Sequence, residues 1–509
     1  MTKTIVDILF DRARASPQMP FLTWQGEVIP YGAFAGQVLS AAATLRDEGV
    51  VVDDRVAICV RDKLTHLLAY FGAMAAGAIA VHVWSRRTPE EVAWACRHVG
   101  AKVLVGDDGT AEPGRATIAT SALVRSKDTP ALTARPSIAY MMFTSGTTSL
   151  PKAVMTTHRN VEFVTDTLIR IGSLMPDDRE MIYMPLHATG GLGHVHGLIA
   201  RGASAHLTPH DLWSITDDDL HAMLDLIEAE TVTAFLTTIS LLDRLRSTHR
   251  AAFQQKARCV RAILVNVAPL PSELVADLIG ILPATRFVHY YGSTEASRSV
   301  VQCFNDNPNH YHCAGWPAHG TSFTLEKDDN HGGSVGEIAV RGPQVMLGYW
   351  QGTVERDDGR ARTFRTGDLG TVDAAGALTV LGRVNDNINV DGLKVFPFML
   401  EDVLRAHPDV AECVVAGIPH PRTFQTPGTA VVPRDGVNRH DLAMRLCAHC
   451  REKLDPMLVP SRYLVVDRLP RGEQGKVLRQ KVAEMIARRG VDPTLASRDP
   501  TARTADTGG

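Results

Sequence analysis

Tyr140-Met141-Met142-Phe143-Thr144-Ser145-Gly146-Thr147-Thr148-Ser149-Leu150-Pro151-Lys152 is the stretch on which the reading of this chain turns. An apolar strand pattern runs into a loop of hydroxyl side chains around one glycine and ends on a lysine. Small residues let backbone N–H groups turn toward an anion, hydroxyls add donors, and Lys152 adds positive charge. The loop is not a Walker A motif. Counted from Gly146, Pro151 stands where the second glycine belongs, and Ala153 where a magnesium-holding Ser or Thr belongs. Taken alone, the segment reads either as a phosphate-gripping loop or as a hydroxyl-rich turn.

Working outward, helical spacing over residues 31–48, 63–76 and 88–98 alternates with strand patterns at 55–60, 79–83 and 102–105. Thr88-Pro89-Glu90-Glu91 is a helix start signal. Such alternation predicts crossover connections and largely parallel sheets. The rhythm returns in strands at 262–267 and 286–290, separated by a helix over 271–282. After residue 330 the texture changes: Gly332, Gly333, Gly336, Gly342, Gly348 and Gly352 punctuate short strands, as in a small antiparallel or barrel-like subdomain. Beyond Gly382 a compact α+β unit is expected, with helices over 397–406 and 441–454 and strands at 412–417 and 428–432. Residues 490–509 are polar and read as a disordered tail.

A chain of 509 residues exceeds what one core supports, so two or more domains are expected. Apolar residues make up 45% and charged residues 21%, the balance of an ordinary globular protein. A net charge of −3, with both signs dispersed, argues against a nucleic-acid footprint or a polybasic membrane surface. The N-terminus lacks the order of a secretory signal, since Asp7 and Asp11 come too early. Residues 67–84 hold no Lys, Arg, Asp or Glu, yet Gly72, Gly77 and His82 interrupt them; a buried helix, a glycine turn and a buried strand are expected rather than a membrane span. Eight scattered cysteines predict reduced thiols and a cytoplasmic protein. The CxxC form of Cys447-Ala448-His449-Cys450 falls in a helical run and reads as packing rather than as a zinc or redox motif.

Four more segments follow the loop in order: Tyr291-Gly292-Ser293-Thr294-Glu295, Arg365-Thr366-Gly367-Asp368, Gly382-Arg383-Val384-Asn385-Asp386 and Pro470-Arg471-Gly472-Glu473-Gln474-Gly475-Lys476. Together the five resemble the motifs of the adenylate-forming superfamily, which holds acyl- and aryl-CoA synthetases, peptide-synthetase adenylation domains and firefly-type luciferases. The resemblance covers the chain except its tail. It implies an α/β fold with a large N-terminal domain (1–384) of two stacked α/β sheet subdomains plus a small barrel-like β subdomain. A small mobile α+β C-terminal domain (385–489) follows, then the tail (490–509). It also implies an ATP-dependent ligase that joins a small or aryl acid to AMP, releases pyrophosphate and passes the acyl group to a thiol of CoA or a carrier protein. An amine acceptor, a non-carboxylic oxyacid, luciferase-like oxygen chemistry and a nucleotide-binding module without turnover are the alternatives.

The same resemblance assigns roles. Thr144, Ser145, Gly146, Thr147, Thr148 and Lys152 hold the β- and γ-phosphates, although Ser149 and Ala153 stand where glycine is usual. Tyr291 stacks on adenine in a nucleotide site shared with Ala268, Gly292 and Ser293. Thr294 touches the α-phosphate and Glu295 coordinates magnesium. Asp368 anchors the ribose, and Arg383 adds a donor there. Lys476 bridges the attacking carboxylate and the α-phosphate. Asn385, where Asp or Lys is usual, is the hinge, and Gly392 lets a pantetheine arm approach. The acid pocket is lined by His187, Gly190, Gly191, Asn266 and Val267, with Arg298 as a candidate beside them. The stretch 187–191 has no aspartate, which disfavours a free α-amino acid, and Val267 narrows the floor toward a small or flat acid. Arg298, one helical turn beyond Glu295, is read as solvated, with pairing to a second acidic group as the alternative. His187, His194 and His196 sit in a glycine-rich setting without an i, i+4 helical pattern, and zinc is not expected; His187 is read as lining the substrate or adenine side. The expected components are ATP and Mg2+, with CoA as a candidate co-substrate, no nucleic acid or membrane partner, and a monomer or homodimer.

Overall fold

The alternating N-terminal pattern folds as read. Tyr31–Asp47, Lys63–Ala76 and Pro89–Val99 are helices, and Arg55–Cys59, Ile79–His82 and Val103–Gly106 are strands. Thr88 starts its helix through a reciprocal cap: its hydroxyl accepts from the Glu91 N–H while the Glu91 carboxylate accepts from the Thr88 N–H. The charge-free stretch resolves into the end of a buried helix, a left-handed Gly77 at φ 87° and the fully buried strand Ile79–His82. The computed structural model describes residues 3–493 except 86, 108–109, 111–114, 126–134, 145–150, 173, 210–215, 267–271, 328–334, 355–356, 391–392, 422 and 472–476. Among the described residues no helix is long and apolar enough to cross a membrane.

Two large sheets organise the first part. One has seven strands in the order Gly348–Tyr349, Lys152–Thr157, Ile138–Thr144, Ile79–His82, Arg55–Cys59, Val103–Gly106, Ala116–Ala119. Its last five strands are parallel, and Lys152–Thr157 runs back antiparallel with Lys152 opposite Thr144. The other has nine strands, with Arg286–Tyr291, Ala262–Asn266, Ala234–Thr237, Arg179–Ile182 and Ser204–Leu207 parallel at its centre. Strands buried on both faces need continuous apolar runs, and Ala262–Val265 and Phe235–Leu236 supply them. Side chains of Lys63–Ala76, Tyr31–Asp47 and the helix Thr189–Arg201 share one core with strands of both sheets, which stacks the two layers.

The glycine-punctuated stretch forms a four-stranded sheet in the order Ser322–Lys327, Gly336–Gly342, Arg362–Val372, Leu378–Arg383. The chain divides into two compact units. The first is Met1–Thr324 with Ala339–Thr366 and Val372–Thr379; the second is Leu325–Ile338 with Gly367–Thr371 and Val380–Gly509.

In the second unit, Leu393–Val395, Ile388–Val390, Phe424–Pro433 and Val410–His420 form an antiparallel sheet, and Arg462–Val465 adds a parallel strand to Phe424–Pro433. Pro397–Arg405, Leu442–Lys453 and Arg479–Arg489 are its helices. Cys447 and Cys450 lie on one face of Leu442–Lys453, buried with Leu400, Leu404 and Tyr463. Val491 exchanges backbone hydrogen bonds of 2.8 and 2.9 Å with Tyr463, so pairing extends into the stretch read as a tail. Residues 494–509 lie outside the described residues.

Candidate active site

The strand Arg286–Tyr291 delivers the motif Tyr291 to Glu295 at its carboxyl end, where ligands bind in open α/β sheets. The chain turns at once. Ser293 and Ala296 exchange backbone hydrogen bonds of 3.3 Å, and the Ser299 N–H donates to the Tyr291 carbonyl at 3.0 Å. Only glycine fits at 292, because a Cβ there would lie 2.6 Å from the Ala296 oxygen and 2.6 Å from the Arg298 nitrogen. This turn is not a helix, which corrects the expectation for Arg298. The residue takes a left-handed backbone (φ 54°) that swings its side chain inward, so it is 1% exposed rather than solvated. Its guanidinium carbon rests 4.9 Å from the centre of the Tyr290 ring.

Glu295 is tied down from an unforeseen direction. Its Oε1 accepts a 3.0 Å hydrogen bond from the Tyr349 hydroxyl, and its carbonyl accepts from the Met346 N–H at 2.7 Å. Tyr349 belongs to the short edge strand Gly348–Tyr349, whose partner strand begins at Lys152. The Lys152 ammonium lies 4.8 Å from the centre of the Tyr349 ring. One phenol therefore touches the lysine that closes the hydroxyl loop and the carboxylate of a distant motif. Burial, then the Glu295 carboxylate, pushes that phenol well up, so it stays a neutral donor. Sequence reasoning missed Tyr349; the aromatic pair Tyr349-Trp350 after Gly348 was the available signal. At the other end of the loop the Thr144 hydroxyl donates to the Lys152 carbonyl at 3.4 Å. Ser145, Gly146, Thr147 and Thr148 lie outside the described residues.

The expected acid-pocket residues gather on neighbouring elements. Gly190 and Gly191 form the buried first turn of the helix Thr189–Arg201. A Cβ on Gly190 would lie 3.2 Å from the Asn266 amide nitrogen, which itself donates to the Tyr290 hydroxyl at 3.5 Å. His187 is half-buried and tilts against Trp84, ring centres 5.9 Å apart. Val267 and Ala268 lie outside the described residues. His194 and His196 lie two residues apart on a helix, glycine-rich though it is, because burial of its whole face outweighs poor helix propensity. His194 is bonded to Glu180 and lies 3.4 Å from the Tyr290 hydroxyl; His196 bonds the Tyr70 hydroxyl at 3.0 Å. Burial, then the charge of Arg298, holds His196 down at about 3, hence neutral. Among the described residues no three His, Cys, Asp or Glu side chains converge as metal ligands.

A small cavity is lined by Thr189, Gly193, His196, Thr294, Arg298 and Gln344. Polar capacity around it is unspent. Arg298 Nε and Nη2 and Gln344 Oε1, on its lining, are buried without a hydrogen-bond partner among the described residues, as are Ser293 Oγ and Asn266 Oδ1 on the motif turn and the neighbouring strand. Buried polar groups are normally satisfied, so such a concentration suits a bound ligand.

In the second unit Asp368 and Arg383 are brought together in a 2.8 Å ion pair, with the carboxylate 13% exposed and the guanidinium 51%. Asn385 is exposed in the single turn Val384–Asp386, and the Asp386 carboxylate lies 3.5 Å from Arg479 Nε. Lys476 and Gly392 lie outside the described residues.

The model of the AMP-binding enzyme family matches residues 9–350, and that of the AMP-binding enzyme C-terminal domain matches 399–476. A feruloyl-CoA synthase from Amycolatopsis is 30% identical over 92% of this chain and 96% of its own length. A 2-succinylbenzoate–CoA ligase from Bacillus velezensis is 28% identical over 94% and 97%. Among solved structures, an O-succinylbenzoate coenzyme A synthetase from Bacillus subtilis, held with ATP and a magnesium ion, superposes with a TM-score of 0.79 at 25% identity, covering 93% of this chain and 98% of that one. With a family model running through most of the first unit and the five motifs in order, the chain belongs to the AMP-binding enzymes of the adenylate-forming superfamily.

Proposed function

We propose that this chain is an ATP-dependent acid–thiol ligase. A carboxylate oxygen attacks the α-phosphorus of ATP and pyrophosphate leaves; a thiol then attacks the acyl carbon and AMP leaves. Relatives named as CoA ligases across nearly their whole lengths support the thiol acceptor. The observation that carries the reading is the Lys152–Tyr349–Glu295 line, which joins a cation for the outer phosphates to a carboxylate suited to a hard divalent ion. Magnesium is usually held by one or two carboxylates plus phosphate oxygens, so Glu295 fits it without a side-chain cluster. A solved relative holding ATP and a magnesium ion supports MgATP as the nucleotide.

In this reading Thr144, Ser145, Gly146, Thr147, Thr148 and Lys152 grip the β- and γ-phosphates. Tyr291, with Gly292, Ser293 and Ala268, takes the adenine, and Thr294 meets the α-phosphate. The Asp368 carboxylate accepts from the ribose hydroxyls, with Arg383 beside it. Lys476, on a C-terminal domain that pivots at Asn385 between 1–384 and 385–489, neutralises charge on both reactants as the anhydride forms. Eight free cysteines suit a reducing, cytoplasmic setting. The test is a panel of small and aryl acids with MgATP, followed by pyrophosphate release with and without CoA. Acid-dependent release, and an acyl-CoA product by mass spectrometry, are expected. ATP binding with no release from any acid would sink the proposal.

A further inference from the structure

Arg298 is the bulkiest fully buried side chain of the described residues, and it is charged. Its Nη1 reaches Ser297 Oγ at 3.4 Å, while Nε and Nη2 have no hydrogen-bond partner among the described residues. Those two nitrogens form one edge of the guanidinium, the edge that grips a carboxylate through two parallel hydrogen bonds. What surrounds it is neutral. Tyr290 offers a ring face, and Tyr140 and His196 feel its charge without opposing it. Glu180 reaches it only through His194 and Tyr290. No carboxylate pairs with Arg298 among the described residues.

The fold makes room for this group. A Cβ on Gly193 would lie 2.8 Å from both Nη atoms, so the helix Thr189–Arg201 carries a glycine where the guanidinium passes. Thr294 and Arg298 line the same small cavity, together with Thr189, His196 and Gln344. A buried cation without a counter-charge is costly, and an arriving anion removes that cost.

We propose that Arg298 receives a second carboxylate on the acid being activated, which makes the substrate a dicarboxylic acid. The inference rests on the ligase reading, in which Thr294 meets the α-phosphate that the reacting carboxyl attacks; the shared cavity then sets a short distance between the two carboxyl groups. Arg298 is a specificity-determining residue in this account, and the small cavity admits a carboxylate rather than a ring or an alkyl chain.

The experiment pairs short aliphatic and aromatic dicarboxylic acids with their monomethyl esters and follows pyrophosphate release by wild type, Arg298→Gln and Arg298→Lys, with melting temperatures for each. Wild type is expected to favour a diacid over its ester in kcat/KM on the order of a hundredfold, because a site built for a polar group rejects the analogue that lacks it. Arg298→Gln collapses that ratio toward one, chiefly through KM, and Arg298→Lys restores part of it. A wild-type ratio of one or less overturns the proposal, as does an Arg298→Gln variant that slows diacid and ester by the same factor. Should the variants fail to fold, wild type decides: with ATP present, a diacid but not its ester raises the melting temperature, and equal shifts overturn the idea. Release from monoacids alone removes this inference and leaves the ligase reading standing; release from no acid removes both.

Discussion

Two buried charges, one in each unit, are treated in opposite ways. Glu401, on the helix Pro397–Arg405, is 4% exposed, and its carboxylate is met on every side. Oε1 accepts from the Val415 N–H at 2.9 Å and from Arg479, and Oε2 accepts from Arg405 at 2.9 Å. Arg298 is buried at least as deeply, yet one edge of its guanidinium is unmet among the described residues. A satisfied buried charge is architecture, since removing either partner strands the other. An unsatisfied one beside a cavity marks the place where chemistry from outside completes the molecule.

The largest effect follows from breaking the satisfied charge. Glu401→Ala leaves the buried Val415 N–H unmet and takes one carboxylate from Arg405 and Arg479, which keep Asp402 and Asp386, and about 2–3 kcal/mol of stability in the second unit is expected to go. Calorimetry on the full chain reads this as a lowered transition; a loss below about 1 kcal/mol would mean the carboxylate is not structural. Next comes acid. Burial, the largest cause in each case, pushes His66 and His158 down to about 4 and His196 to about 3. An unfolded histidine titrates near ~6.5. Above that pH neither state holds the proton. As pH falls toward 4 the unfolded chain takes protons that the fold refuses, so the first unit loses stability, about 1 kcal/mol from each histidine by roughly pH 5.5. Denaturation midpoints at pH 7.5 and 5.5 check the sign, and a first-unit midpoint that does not fall contradicts it.

The same contrast explains what was legible in the sequence. Alternating helices and strands, the Thr88 cap and the glycine turn at 77 are local signals, and they folded as read. The pairing of Asp368 with Arg383 also joined two residues that the motifs had singled out. What was not legible is tertiary. Thr189–Arg201 is a helix because both stacked layers bury it, although four glycines between 190 and 197 argue against one locally. Arg298 turns inward because the backbone reverses after Gly292, which 3.6-residue counting does not anticipate. Tyr349 reaches Glu295 only after a strand pairing brings it there, and no spacing announces that partnership.

Glu295 sharpens the comparison from the catalytic side. Glu295→Gln keeps shape and an acceptor for Tyr349 but removes the charge. Since Glu295 is a half-buried carboxylate on a turn, the melting temperature is expected to stay near that of wild type. The rate of pyrophosphate release should fall on the order of a hundredfold, with a higher magnesium requirement. Glu401 then shows its loss in stability and Glu295 in rate. A Glu295→Gln enzyme with wild-type turnover at low magnesium would remove this carboxylate from the metal.

The smallest predicted effect separates the two contacts of Tyr349. Tyr349→Phe deletes the hydroxyl that lies 3.0 Å from Glu295 and keeps the ring beneath Lys152. One hydrogen bond to a partly exposed carboxylate is worth about 1 kcal/mol, so catalytic efficiency is expected to drop about fivefold. Tyr349→Leu also removes the aromatic face, and a cation at an exposed ring gains about 0.5–1 kcal/mol. A further loss in the leucine variant, read as a higher KM for ATP, assigns the ring to positioning Lys152. Identical kinetics in the two variants would leave the hydroxyl alone responsible. The carboxylate would then be held in place, while the lysine owed its position to the strand pairing of Lys152 with Thr144.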